Sequence, residues 1–391
     1  MALQIASWPC FSAEEAQAVS DIIVSNKVNY WTGDVGRKFE QNYADWVGAK
    51  HAIAVANGTL ALDLALRALG IGAGDEVIVT PRTFIASISS VITAGASPVF
   101  ADVDWDSGNI TPKSIAEKIT DKTRAIIPVH LGGWPCDMNG IIALADRHDI
   151  FVIEDCAQAH GAKVGDAMVG SMGHVSAWSF CQDKIMTTGG EGGMVTTNDE
   201  KIWSRMWSYK DHGKSWDAVY NREHPPGFRW VHESFGTNWR MLEMQAAIGR
   251  IQLKRMDEWT ALRTRNARAL QSVLKAFPDI VRTPDPGPGF THAYYRQYGY
   301  IKPEGLKSGW TRDRIIEDIV AQGYPAFQGS CSEVYLEKAF DGTGWRPKSR
   351  LLVAKELGET SIMFLTHPSI TEEQLEGYCS VVRRSFAKAT R

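Results

Sequence analysis

Cysteine pairs, blocks of like charge and long apolar runs are all missing from this 391-residue chain. The six cysteines, Cys10, Cys136, Cys156, Cys181, Cys331 and Cys379, are scattered, with no Cys-x-x-Cys pair. That argues against a zinc site and against a disulfide framework, and makes a cytoplasmic compartment the default expectation. A formal net charge of −3 gives no strong attraction to nucleic acid or to an anionic membrane. No apolar stretch is long enough to span a bilayer. The start, Met-Ala-Leu-Gln-Ile-Ala-Ser-Trp-Pro, lacks the basic and apolar regions of a signal peptide, so none is expected. Internal repeats and low-complexity tracts are also missing.

What remains is ordinary globular composition, 44% hydrophobic and 22% charged, with enough length for one large domain and a smaller one. Residues 51–200 alternate short apolar runs, rich in β-branched residues, with longer helical patterns. The runs are His51–Ala56, Glu76–Thr80, Ser97–Ala101, Ala125–Val129, Phe151–Ile153, Val175–Phe180 and Met194–Thr197. The helical patterns are Leu60–Leu69, Ile85–Ala94, Pro112–Ile119 and Met138–His148. This alternation predicts an α/β fold with a mainly parallel sheet and helices on both faces. Ligands of such sheets bind beyond the carboxyl ends of the strands, so chemistry is expected just after each apolar run. One long helical stretch is expected over Met241–Phe277, and Pro284–Gly289 breaks the chain. A large domain over 1–255 and a small α+β domain over 256–391 follow.

Polar groups do follow the runs. Asn57-Gly58-Thr59 opens a helix, where a glycine lets backbone amides approach an anion and the threonine hydroxyl caps the helix or binds a phosphate oxygen. Asp155 ends a buried run, where a carboxylate needs a cationic or hydrogen-bonding partner. It either caps the next helix or pairs with a protonated pyridine nitrogen. Ser179 and Lys184 precede Gly189, Gly190, Gly192 and Gly193, a density that suits main chain passing close to a ligand or another subunit. Lys184 is either a solvated charge or an amine held to form a Schiff base. Lys210, His212, Lys214, Arg222 and Arg229 either meet a diphosphate or form a solvated loop.

Taken in order, these motifs resemble the DegT/DnrJ/EryC/StrS sugar aminotransferases. The resemblance runs from Tyr30-Trp31-Thr32-Gly33 through Asn57-Gly58-Thr59, Gly74-Asp75-Glu76, Thr83-Phe84 and Pro128-Val129-His130. It continues through Glu154-Asp155-Cys156-Ala157-Gln158, Ser179-Phe180 with Lys184, Asp211-His212-Gly213 and Gly236-Thr237-Asn238-Trp239-Arg240. It implies the fold-type I architecture of aspartate aminotransferase, with pyridoxal 5'-phosphate as cofactor and its pyridoxamine form in the half reaction. Lys184 matches the Schiff-base lysine and proton shuttle, and Asp155 the pyridinium partner. Gln158 matches a residue beside the ring hydroxyl, Phe84 the stacking aromatic, and Gly58, Thr59 and Ser179 phosphate-binding positions. Asn238 matches a residue that reaches the phosphate from the neighbouring subunit, implying a homodimer with shared sites. The implied substrates are an amino-acid donor, glutamate in this family, and a nucleotide-linked keto-deoxysugar.

Other readings are a dehydratase of the same fold, a non-catalytic regulator and a cysteine desulfurase using Cys331. Lys184 argues against the first, whose members carry histidine there. The slightly acidic chain, with no basic extra domain, argues against the second. Two departures from the family stand out: a second glycine before Glu191, and Cys181 where histidine is frequent. A lysine beside a cationic cofactor and partly desolvated is expected to favour its neutral amine.

Overall fold

The computed structural model describes residues 5–391. The predicted alternation folds into a seven-stranded sheet. Its strands are β1 (His51–Val55), β2 (Glu76–Val79), β3 (Ser97–Phe100), β4 (Thr123–Ile127) and β5 (Phe151–Asp155). A small hairpin, β6 (Lys163–Val164) and β7 (Ala167–Met168), intervenes before β8 (Val175–Ser179) and β9 (Gly193–Thr197) complete the sheet. The strand order is β1-β9-β8-β5-β4-β2-β3. Pairings among β2, β3, β4, β5 and β8 are parallel, and β9 is antiparallel to both neighbours, β1 and β8. The expected mainly parallel sheet is therefore present, with β9 as the reversed strand.

That single reversal matters for the site. Strands β1, β2, β4, β5 and β8 all point the same way, so the residues following each of them gather along one edge of the sheet. Their side chains alternate between two apolar cores. Ile78, Ile126, Val152, Trp178 and Met194 enter one, while Val77, Val79, Ile127, Ile153 and Val195 enter the other. Burial on both faces explains why the runs read as continuously apolar rather than alternating.

The helical stretch expected over Met241–Phe277 is two helices, Glu243–Leu253 and Met256–Lys275. At the junction the Arg255 amide bonds back to Gln252 rather than four residues back. Arg255 is drawn to Glu14, Glu15 and Ser12 of the first helix's N-terminus, a tertiary pull invisible in local periodicity. Pro284–Gly289 is irregular, as its composition predicts.

Beyond the second helix lie β10 (Val281–Arg282), β11 (Phe290–Thr291), β12 (Arg296–Ile301) and β13 (Ser361–Leu365). β10, β12 and β13 form an antiparallel sheet, whereas β11 pairs back onto β6. Leu270 and Leu274 of the Met256–Lys275 helix join Ile315, Ile362, Phe364, Tyr378 and Phe386 in a further core. Among the described residues, no helix is long and apolar enough to cross a membrane.

Candidate active site

The sheet edge and β12 together form a cleft of about 450 Å³ lined by Phe84, Gln158, Asp183, Lys184, Tyr295, Arg296, Ser330 and Cys331, among others. Lys184 sits in the connection between the antiparallel strands β8 and β9. The Phe180 amide bonds to the Gly192 carbonyl and Thr188 to Phe180, so the connection folds back on itself. Gly189 and Gly190 have φ of 86° and 118°, a left-handed region open to glycine. The additional glycine is thus absorbed in the turn, and Lys184 keeps its place facing the cleft.

Strand β5 delivers two adjacent carboxylates. Glu154 accepts from the amides of Gly170, Met172 and Gly173 and from Ser176 Oγ. Its fifth partner is His130 Nε2 at 3.1 Å. Because His130 Nδ1 accepts from the Cys136 amide, Nε2 is the protonated nitrogen and donates. Burial alone would raise the Glu154 pKa, but the His130 hydrogen bond and the backbone amides outweigh it and hold it below the usual range. His130, Glu154 and Cys156 come close enough to suggest a metal site. The donors already fixed on Glu154 and His130 give that trio a structural role instead.

Asp155 differs. It accepts from Ser87 Oγ at 2.8 Å and from the Ala157 amide at 3.1 Å. It is 5% exposed, and burial outweighs these two bonds and pushes its pKa up. A buried carboxylate with so few donors suits a cationic partner.

Gly58 begins the helix Gly58–Ala68, whose N-cap is Asn57, accepting from the Leu60 amide at 3.0 Å. Thr59 is therefore not the cap, and its exposed hydroxyl is left for other partners. A β-carbon on Gly58 would come within 2.6 Å of Ser179 Cβ, and one on Gly193 would strike the Asn57 carbonyl. Glycine is what lets the helix N-terminus, Ser179 and the returning strand meet, a cradle of amides and hydroxyls suited to a phosphate. Together with Asp155 and Lys184, this cradle fits a phosphorylated pyridine aldehyde.

Gln158 is buried, with Oε1 accepting from the Gly132 amide at 2.7 Å. Phe84 presents its ring to the cleft at 68% exposure. Asn238 lies outside the cleft lining, exposed, on a segment bridged to Asp211.

In the protein alone the ammonium form of Lys184 is favoured. Burial disfavours its ammonium, but Tyr295, Asp183, Cys181 and Asp155 outweigh burial and hold it above the ordinary lysine range. Of the two readings of the loop cations, the pairings of Lys210, Lys214, Arg222 and Arg229 lean away from a free diphosphate-binding patch. Lys210 is fully buried over the Tyr30 ring at 3.5 Å, Lys214 pairs with Asp211, Arg222 with Asp217 and Glu233, and Arg229 binds backbone carbonyls.

A model described as the DegT/DnrJ/EryC1/StrS aminotransferase family matches residues 9–383. The chain belongs to that family. A solved aminotransferase from Psychrobacter cryohalolentis is 60% identical, with a TM-score of 0.97 over 98% of this chain and 99% of that one. DesV of S. venezuelae, solved in complex with a ketimine intermediate, is 31% identical, with a TM-score of 0.84 over 96% and 94%. The GDP-perosamine synthase of Caulobacter vibrioides is 38% identical over 88% of this chain and 89% of its own length. The fold is accordingly that of the fold-type I aminotransferases.

Sequence reasoning in this family member missed Ser87, Asp183, Tyr295 and Arg296. Ser87 carried no separate signal, since Ser89, Ser90 and Thr93 share its helical pattern. Tyr295 and Arg296 carried none, because they meet Asp183, the lysine's neighbour, from the start of β12, more than a hundred residues away.

Proposed function

We propose that this aminotransferase uses pyridoxal phosphate to move an amino group from an amino acid, glutamate by family, to the keto group of a nucleotide-linked deoxysugar. The observation that carries the reading is the pairing of a cleft lysine, Lys184, with a buried and under-satisfied carboxylate, Asp155, beside the Gly58–Ser179 cradle. The names of relatives agree, including GDP-perosamine synthase.

The cofactor, when bound, supplies a carbonyl and an electron-accepting ring. The chain's own residues supply the rest. Lys184 Nζ gives up a proton to become the nucleophile. As a free amine facing the cleft, the same nitrogen would serve as the general base that holds and moves the substrate's proton. Asp155, its carboxylate fixed by Ser87, would hold a proton on the ring nitrogen by charge. Phe84 and Gln158, both on the cleft wall, would cover a ring face and meet the ring hydroxyl. Gly58, Thr59 and Ser179 bind the phosphate.

Asn238 completes the neighbouring subunit's site in a homodimer. Its exposure supports this, as do the exposed apolar side chains of the preceding segment, Phe228, Trp230 and Phe235 at 74%, 80% and 98%.

The test is transfer of nitrogen. Protein loaded with pyridoxal phosphate is incubated with 15N-labelled L-glutamate and a panel of nucleotide-linked keto-deoxysugars. Label on a sugar product is expected. Reaction with glutamate but with none of the sugars would overturn the acceptor class.

A further inference from the structure

We infer that Arg296 is the carboxylate-binding residue for the amino-acid donor. This rests on the aminotransferase reading. Arg296 and Asp183 line both the cleft and an adjoining cavity of about 360 Å³ walled by Trp8, Leu365 and His367. One carboxylate, that of Asp183, already touches both cations. Its Oδ1 is 3.5 Å from Lys184 Nζ, and its Oδ2 is 3.6 Å from Arg296 Nη2. A small acid whose amino group reaches Lys184 is therefore also within reach of Arg296.

The guanidinium is preorganised and still has donors to give. Nη1 donates to the Tyr295 carbonyl at 3.1 Å and Nη2 to the Tyr295 hydroxyl at 3.3 Å. That hydroxyl in turn donates to Asp183. Two of the five N–H groups of an arginine are thereby used, and the rest, including Nε–H, are open for a forked grip on a carboxylate. The Asp183 contact is too long for a hydrogen bond, and its side chain is 54% exposed, so an incoming carboxylate displaces little.

The surroundings favour an anion. Arg263 is fully buried behind Trp8, 5.1 Å from its ring, and none of its three nitrogens has a hydrogen-bond partner among the described residues. His367, stacked on Trp8, stays neutral, its pKa lowered to about 3 by burial and by Arg263 and Arg296. Against these stand Asp183 and, on the far wall of the cleft, Glu337.

The experiment uses the pyridoxal phosphate-loaded enzyme and three probes. Glutarate, a dicarboxylate without an amino group, is titrated by calorimetry. L-Glutamate and methylamine, an amine without a carboxylate, are followed by their effect on the cofactor absorbance. Arg296→Gln is expected to weaken glutarate about 10- to 100-fold, the worth of a charged hydrogen-bonded contact. Its loss toward L-glutamate should exceed its loss toward methylamine by at least about tenfold. Arg296→Lys should fall between, keeping charge without the fork, and Asp183→Asn should tighten glutarate by removing a nearby like charge. Unchanged glutarate affinity in Arg296→Gln would overturn the inference. So would equal losses toward L-glutamate and methylamine, which would make Arg296 a support for Lys184 alone. If no variant, nor the wild type, forms the lysine-linked cofactor, it is the aminotransferase reading that fails.

Discussion

Glu154 and Asp155 are consecutive residues of one buried strand, and their carboxylates are shifted in opposite directions. Glu154 has five donors and a lowered pKa; Asp155 has two and a raised one. The pleat sends them to opposite sides, one into a closed hydrogen-bond network and one toward Ser87 and the Ala157 amide.

Glu154 should act on stability. Its folded pKa lies below its unfolded value, so its contribution is present above the ordinary glutamate range and is lost as pH falls through the lowered value. Glu154→Ala strands the amides of Gly170, Met172 and Gly173, and a loss of about 3 kcal/mol or more is expected in urea denaturation of the cofactor-free protein. A change under about 1 kcal/mol would show that the network is dispensable.

Asp155 should show the converse. Its folded pKa is raised, so its contribution is present below the ordinary aspartate range and is lost as pH rises through the raised value. Asp155→Asn removes that cost and can still meet Ser87 and Ala157. The cofactor-free variant should melt no lower than wild type at neutral pH, while turnover falls at least about a hundredfold. Near-normal turnover would sink the pyridinium role.

Lys184→Ala should yield no borohydride-trapped cofactor adduct by mass spectrometry and no absorbance from a lysine-bound cofactor. Retention of either would assign the Schiff base to another amine.

Asp183→Asn should change when Lys184 becomes reactive. Cofactor capture needs the neutral amine, and Asp183 is among the groups that hold the ammonium. The capture rate therefore rises with pH in wild type, and in the variant the whole profile should move to lower pH. Stopped-flow absorbance across neutral and alkaline pH would reveal this, and coincident profiles would exclude an electrostatic role for Asp183.

Mixing Lys184→Ala with Asn238→Ala subunits should restore activity if sites are shared. With each parent inactive, equal mixing should give about a quarter of wild-type activity, since half the dimers are mixed and each regains one site. No recovery despite demonstrated subunit exchange would count against sharing.

Much of this protein was determined by sequence that is local in its effects. Apolar runs followed by polar residues gave the strands and their functional ends, because burial on both sheet faces leaves a plain hydrophobic signal. The motif order from Asn57 through Lys184 to Asn238 carried the family. Tertiary structure alone decided the rest. It made Asn57 rather than Thr59 the helix cap, drew Arg255 out to break a long helix, and buried Lys210 against Tyr30. It also set Tyr295 and Arg296 beside Lys184. Each of these depends on which distant groups desolvate or pair with a side chain, and no local periodicity encodes that.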